Sequence, residues 1–194
     1  MFGVAMVVYM LTLEPSVSLW DCGEFISAAY KLQVVHPPGA PFFLLLGNFF
    51  SNLALGNPEN VAWAVNMMSA TSSALTVVFT FWITSYFAKK IRLAMGETDL
   101  TTTTNKILIF GSAIAAALTL TFSDTFWFSA VEAEVYALSS FFTALTFWAM
   151  LKWESRANTD PYADRWLILI AYIIGMAIGT HLLNLLVIPT IAII

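Results

Sequence analysis

Charge is what this chain has least of. Of its 194 residues only 10% are charged while 59% are hydrophobic, and the mean hydropathy is +0.80. Soluble domains carry about 25% charged residues, so this chain cannot cover a globular surface with polar groups. That excludes a soluble enzyme and a disordered segment. Eight Lys and Arg in total are too few for the phosphate footprint of a nucleic-acid binder. A single cysteine, Cys22, permits no intrachain disulfide and no paired-cysteine metal site, and reads as a buried thiol. Also missing are an Asn-X-Ser/Thr acceptor, a Gly-rich phosphate loop, a Ser-His-Asp pattern and zinc-type histidine spacing. Hydrolytic and nucleotide-dependent chemistry therefore have no motif to rest on.

What the chain does have is long apolar runs. Stretches without Asp, Glu, Lys or Arg extend from Asn60 to Ala88, Ile107 to Ser123, Val135 to Leu151 and Trp166 to Ile194. A hydrocarbon core of about 30 Å needs roughly 20 such residues per helix, and in lipid the backbone must satisfy itself as helix. The chain is an all-α, multi-span integral membrane protein. Spans are expected at about 1–13, 61–88, 107–122, 131–151, 166–180 and 182–194. Met1–Leu13 is short and has no basic flank, so it does not read as a signal peptide. The last run stops without a polar flank, and residues 1–194 read as the N-terminal part of a larger membrane protein.

Pro37–Leu55 is interrupted by Gly47, Asn48, Ser51 and Asn52. Its apolar positions Phe42, Phe43, Leu46, Phe49, Phe50 and Leu53 form one face, as in a helix lying on the membrane surface. Interfacial helices are expected at about 19–32 and 38–55. With that threading, every basic residue except Lys31 falls on the cytoplasmic side, as the positive-inside rule demands. Both histidines and seven of the twelve acids then gather on the outer side. That asymmetry is the functional signal.

The first outer loop carries Asp21 and Glu24, three apart. On a helix they share a face, so one can orient the other, and a carboxylate there can take a proton from an acceptor hydroxyl. The plain alternative is a pair of first-turn acids answering the helix dipole. Pro15 stops the first helix and Ser18 is expected to cap the next. His36 stands at the corner His36-Pro37-Pro38-Gly39-Ala40-Pro41, as a ligand contact or as a hydrogen-bonded structural histidine. Asp124 reads as an N-cap. Glu132 and Glu134 are placed in the first turns of an apolar helix, where they could bind sugar hydroxyls, a cation or an acceptor amide, or simply offset the dipole. His181, inside a charge-free run, is a functional candidate for a phosphate or hydroxyl contact. Gly175 and Gly179 suggest close helix approach.

These segments resemble a known family. Trp20-Asp21-Cys22-Gly23-Glu24-Phe25, His36-Pro37-Pro38-Gly39-Ala40-Pro41, Phe126-Trp127 with Val131-Glu132-Ala133-Glu134-Val135-Tyr136, and Gly179-Thr180-His181-Leu182-Leu183-Asn184 look like a bacterial membrane family related to an animal transmembrane protein O-mannosyltransferase. More distantly they resemble the GT-C glycosyltransferase superfamily. The resemblance implies a GT-C-like multi-span helical bundle with two interfacial helices in the first outer loop. It implies an inverting transferase moving a sugar, mannose by family expectation, from a polyprenyl-phosphate donor to an acceptor hydroxyl, protein Ser/Thr by the same expectation. The site would face the periplasm from a bacterial inner membrane. By that likeness Asp21 is the catalytic base with Glu24 its partner, while Glu132 or Glu134 holds sugar or acceptor. His36 and His181 lie near the lipid phosphate. His181 falls where the aminoarabinose transferases of that superfamily tend to carry a basic residue near the lipid phosphate. No cofactor is required by the motif, and a divalent cation stays open. Expected partners are the lipid-linked donor, a protein or glycan acceptor and membrane lipid, with no nucleic acid. Residues 1–194 alone are expected to be inactive. The competing class is a transporter or channel subunit with an outer acidic and histidine vestibule.

Overall fold

The computed structural model describes residues 1–193 and is helical throughout, with no strand among the described residues. In chain order the helices are α1 (Phe2–Leu11), α2 (Cys22–Lys31), α3 (Pro41–Ser51), α4 (Val61–Ala94), α5 (Thr103–Thr121), α6 (Asp124–Ala130), α7 (Val135–Glu154), α8 (Arg165–Ile178) and α9 (Val187–Ile193). A 3-10 turn over Leu182–Leu186 joins α8 to α9.

Three helices are long and apolar enough to cross a membrane: α4 with the turn before it, α5, and α7. At 1.5 Å per residue α4 is about 51 Å long, so it outruns a hydrocarbon core of about 30 Å. Its 34 residues contain no Gly or Pro to break it. It ends where Gly96, at φ 90°, turns the chain out. Helix α8, with 14 residues, reaches only about 21 Å.

Helix α4 is the spine. Helix α5 packs antiparallel to it, with Phe81 stacked on Phe110 at 6.3 Å. Helix α7 runs parallel to it, bringing Phe79 against Phe141 and Trp148. Helix α8 returns beside α7, so that Trp166 meets Trp148. The outward faces are apolar too: Ile107, Leu108 and Phe110 of α5 and Ile168 and Tyr172 of α8 are exposed, as helices facing lipid require.

This connectivity gives the bundle two unlike ends. One holds the α4–α5 and α7–α8 turns and the basic residues Lys89, Lys90, Arg92, Lys152, Arg156 and Arg165. The other holds the chain after α1, helices α2, α3 and α6, and the break between α8 and α9. There α2 and α3 pack against the start of α4 around Phe25, Phe43, Val65, Met68, Leu138 and Phe142. The packing is tight at two glycines. A Cβ on Gly47 would stand 2.9 Å from Ala29 Cβ, and one on Gly179 would stand 3.2 Å from Phe42 Cβ. A Cβ on Gly175 would meet nothing within 4 Å, so only Gly179 makes the close approach that the sequence suggests for both.

Several elements differ from the sequence expectation. The run 182–194 is not one continuous helix, because Asn184 holds a 3-10 turn against α7. Helix α7 begins at Val135 rather than near Val131, and a short helix α6 precedes it. Ser123, not Asp124, is the N-cap of α6. On α3 the buried positions are Phe43, Leu44, Gly47 and Ser51, while Phe49 and Leu53 face outward with Leu45.

Candidate functional site

The site is assembled from the loop after α1. Pro15 ends the first helical stretch, and the freed backbone is gathered by Asn66, a fully buried residue of α4. Its Nδ2 donates to the carbonyls of Glu14 (2.7 Å) and Ser16 (3.1 Å). The Glu14 N–H in turn donates to the Val131 carbonyl, tying this loop to the one between α6 and α7. Ser18 does not cap α2. Its hydroxyl donates to Glu132 Oε2 at 2.7 Å, and Asp21 takes the N-cap position without a side-chain cap bond. A buried acid competes better for that hydroxyl than a helix terminus open to water.

Asp21 is thus left with an exposed carboxylate that accepts no hydrogen bond from the described residues. Trp20 before it has φ 61° and is 85% exposed. Left-handed backbone costs a bulky residue roughly 1–2 kcal/mol. The chain is therefore sharply bent where the acid is displayed.

Glu24 faces the same way but is occupied. The His36 N–H donates to its Oε1 at 2.7 Å, and His36 Nδ1 lies 2.8 Å from its Oε2. The carboxylate thereby fixes ring and backbone together, leaves Nδ1 as the protonated nitrogen, and turns Nε2 away from itself. Phe25 meets the ring edge-on at 5.9 Å. The hydrogen bond to His36 holds the Glu24 carboxyl below its ordinary range, and the same bond, then the Glu24 charge, lifts His36 above its own. Asp21 and Glu134 add to that lift.

Glu132 and Glu134 do not lie in the first helical turns. They sit in the extended link before α7, with Glu134 at its N-cap (φ −120°, ψ 154°), and both are buried, 4% and 7% exposed. Glu134 is pushed up from the usual carboxylate range, first by burial and then by the charges of Asp21 and Glu132. The Cys22 thiol lies 3.8 Å from Glu134 Oε1 and is pushed up to about 12 by its burial and by both acids. Such a thiol is a packing group and no nucleophile.

His181 caps the 3-10 turn: its Nδ1 accepts from the Leu183 N–H at 3.1 Å. In the neutral ring the proton then sits on Nε2, which makes His181 a donor. Tyr136 lies against it at 5.8 Å.

These groups surround two adjoining cavities. A larger one, about 640 Å³, is lined by Asp21, Glu132, Glu134, Trp20, Phe126 and Tyr136 among others. A smaller one, about 80 Å³, is lined by Asp21, His36, Glu134, Tyr136, Thr180 and His181. Asp21, Glu134 and Tyr136 belong to both. Glu24 lines neither and reaches them only through His36. Where a cation is concerned, Asp21, Glu24 and His36 each bring one ligand atom within 4.8 Å of the others, although two of the three already bond each other.

Sequence reasoning missed three supporting groups. Thr180 has a buried hydroxyl without a partner at the small cavity. Asn184 accepts from the Ser139 and Thr143 hydroxyls, both at 3.1 Å, and donates to the Ala177 and His181 carbonyls. Asn66, already described, is the third. A polar amide in an otherwise apolar run was the available signal for both asparagines.

The family model described as protein O-mannosyl-transferase TMEM260 N-terminal domain matches residues 21–194. Among curated proteins, the Dictyostelium discoideum protein O-mannosyl-transferase tmem260 is 27% identical over 144 residues, covering 72% of this chain and 15% of that protein. The Mus musculus protein O-mannosyl-transferase TMEM260 is 29% identical over 153 residues, covering 79% of this chain and 19% of that protein. The chain thus spans less than a fifth of the length of these relatives. No solved structure matches.

Proposed function

This chain belongs to the protein O-mannosyl-transferase TMEM260 N-terminal family, and from that premise we propose that it forms the base-bearing part of a GT-C-type inverting mannosyltransferase. Its donor would be a polyprenyl-phosphate sugar, its acceptor a protein Ser or Thr hydroxyl, and its site would open on the extracytoplasmic face. The observation that carries the reading is the position of Asp21. It is the carboxylate shared by both cavities that is neither buried like Glu134 nor engaged like Glu24.

In the proposed step Asp21 takes the proton of the acceptor hydroxyl as its oxygen attacks the anomeric carbon. The bond from that carbon to the lipid phosphate breaks, and its electron pair leaves on the phosphate. A phosphate leaving group needs little acid assistance, so one base plus charge stabilisation suffices. His36 and His181 supply that stabilisation at the small cavity. Glu24 serves by holding His36, and Glu132 and Glu134 face sugar or acceptor hydroxyls in the larger cavity. Helices α2 and α3 are proposed to lie on the membrane surface. The outward apolar positions Leu45, Phe49 and Leu53, four apart on one face of α3 and the turn after it, support that placement.

A transporter or channel fits less well. The ionisable residues of α4, α5 and α7 sit at the helix ends, and the stretches between carry only Ser, Thr and Asn as polar groups. Transporters bring ionisable groups to the bilayer midplane on broken helices.

The test is transfer of mannose from a polyprenyl-phosphate donor to a Ser/Thr peptide by the full-length protein. Asp21→Asn is expected to lower the rate by about 10²- to 10⁴-fold, the range of general-base catalysis. Near-normal transfer by Asp21→Asn would remove Asp21 as the base. Retained transfer there combined with loss in Glu24→Gln would move the base one turn along α2.

A further inference from the structure

At the basic end of the bundle, α4 and α7 run side by side in the same direction and part to leave a cavity of about 280 Å³. Its walls are Trp82, Ser85 and Tyr86 with Lys89 on α4, and Trp148 with Lys152 on α7. We propose that this cavity is a binding site for the head group of an anionic phospholipid, with the phosphate held by the ammonium groups of Lys89 and Lys152. It is independent of the transferase reading and lies at the opposite end of the bundle from Asp21.

Charge balance argues first. Glu154 is the acid that closes α7, and it is occupied by Lys90 and by the Tyr86 hydroxyl. Neither Lys89 nor Lys152 has a carboxylate within 4 Å among the described residues. The cavity is therefore left with two uncompensated cations and no free anion of its own. An anionic group from outside the chain would balance both.

Position and shape argue next. The cavity lies near the ends of two helices that are apolar enough to cross a membrane, where tryptophan and tyrosine mark the head-group layer. Trp82 is 44% exposed and packs beside Trp148, so an aromatic, apolar surface adjoins the two cations in the cavity wall. Lys152 Nζ stands 5.3 Å over the Trp148 ring, which holds that ammonium in the wall instead of letting it extend into water. The other cations at this end are arranged differently: Arg156 lies over Trp166 and Arg165 over Tyr162, outside the cavity. Basic pockets between membrane helices are a recurring means of holding anionic head groups. A free phosphate shares the charge but has no use for the tryptophan surface.

The experiment is native mass spectrometry of the full-length protein released from vesicles of equal phosphatidylglycerol and phosphatidylcholine. Wild type is expected to retain phosphatidylglycerol over phosphatidylcholine, and millimolar inorganic phosphate is expected not to displace it. Lys89→Gln with Lys152→Gln should weaken retention about thirtyfold, the effect of two cations at a membrane surface. Lys89→Arg with Lys152→Arg should keep it. Lys89→Gln alone, at an exposed position, should give a partial loss and serves if the double variant does not fold. Unchanged retention in the glutamine variants would overturn the proposal. So would an equal loss from Arg156→Gln with Arg165→Gln, which would mean a diffuse basic face. Displacement by inorganic phosphate would instead mean a free-anion site and would equally overturn it.

Discussion

The two ends of this bundle hold charge in opposite ways. At the basic end, Lys89 and Lys106 apart, each cation is met by an acid or an aromatic ring among the described residues. Arg92 pairs with Glu97 at 2.6 Å and bonds the buried Asn105, Lys90 pairs with Glu154, and Arg156 and Arg165 lie over aromatic rings. At the other end acids crowd one another. Asp21, Glu132 and Glu134 face a common space, and the histidine of the adjoining cavity, His36, is already claimed by Glu24. Like charges drawn together beside a cavity are what the proposed transferase site would use, whereas paired charges at a helix end serve the fold. Substitutions should therefore separate activity from stability at the acidic end and should leave transfer largely intact at the basic one.

The sharpest break would come from Asp21→Asn. It should abolish most transfer yet leave the unfolding temperature of the full-length protein within a degree or two, because the carboxylate bonds nothing in the fold. A large drop in unfolding temperature would reclassify Asp21 as structural. Next in size is Asn66→Ala, which strips the part-buried Glu14 and Ser16 carbonyl bonds of their donor. At about 0.5–1.5 kcal/mol net for each hydrogen bond lost, denaturation should show a loss of roughly 1–3 kcal/mol with transfer falling alongside. Stability without loss would mean that the first loop is not held by α4.

Glu134 tests the crowding itself. Its folded carboxyl titrates above its unfolded value, so the native state binds the extra proton between the two. Stability from this group is present below the unfolded value and is lost as pH rises through the folded one. Glu134→Gln should accordingly flatten the pH profile of unfolding and make the protein no less stable at neutral pH. A neutral-pH loss of stability would show the charged form to be the one the fold needs.

A smaller effect is expected from Glu24→Gln. The pair it forms with His36 exists from below the usual Glu range to above the usual His range. Its contribution fades as acid protonates Glu24 and as alkali deprotonates His36. Removing the carboxylate should let the His36 titration, followed by NMR of the ring carbons, fall back toward pH 6.5, with the alkaline limb of the transfer rate following it. An unmoved His36 titration would deny the clamp. Smallest of all is Glu154→Gln at the basic end. Surface ion pairs contribute at most about 1 kcal/mol, so it should shift unfolding slightly and transfer not at all.

How much of this was legible beforehand depends on the range of the interaction. The long helices announce themselves because lipid punishes every unpaired backbone group, so charge-free runs such as Asn60–Ala88 have one outcome. The gathering of Asp21, His36, Glu134 and His181 near one cavity was also within reach, since hydropathy sorts loops to one side or the other. Which acid bonds which partner was not. Glu24 chooses His36 rather than Asp21 because the αL turn at Leu32 and the loop through Val35 bring the histidine back over α2, a path that spacing alone does not reveal. Ser18 reads as a helix cap locally and becomes a ligand of Glu132 only once the second outer loop is in place. Helix α6 was hidden because Phe126-Trp127-Phe128 carries no periodic signal over so few residues.

The bond between Ser18 and Glu132 joins positions 114 apart in the chain. At ribosomal speeds of about 5–20 residues per second, its two halves emerge on the order of ten seconds apart. For the later part of that interval the first loop has its hydroxyl and the Asn66 amide in place, waiting for the wall that Glu132 brings. The cavity beside Asp21 is therefore a late product of synthesis, closed only after α5 and α6 have followed α4, and a nascent chain halted before α7 would carry Asp21 with no cavity around it.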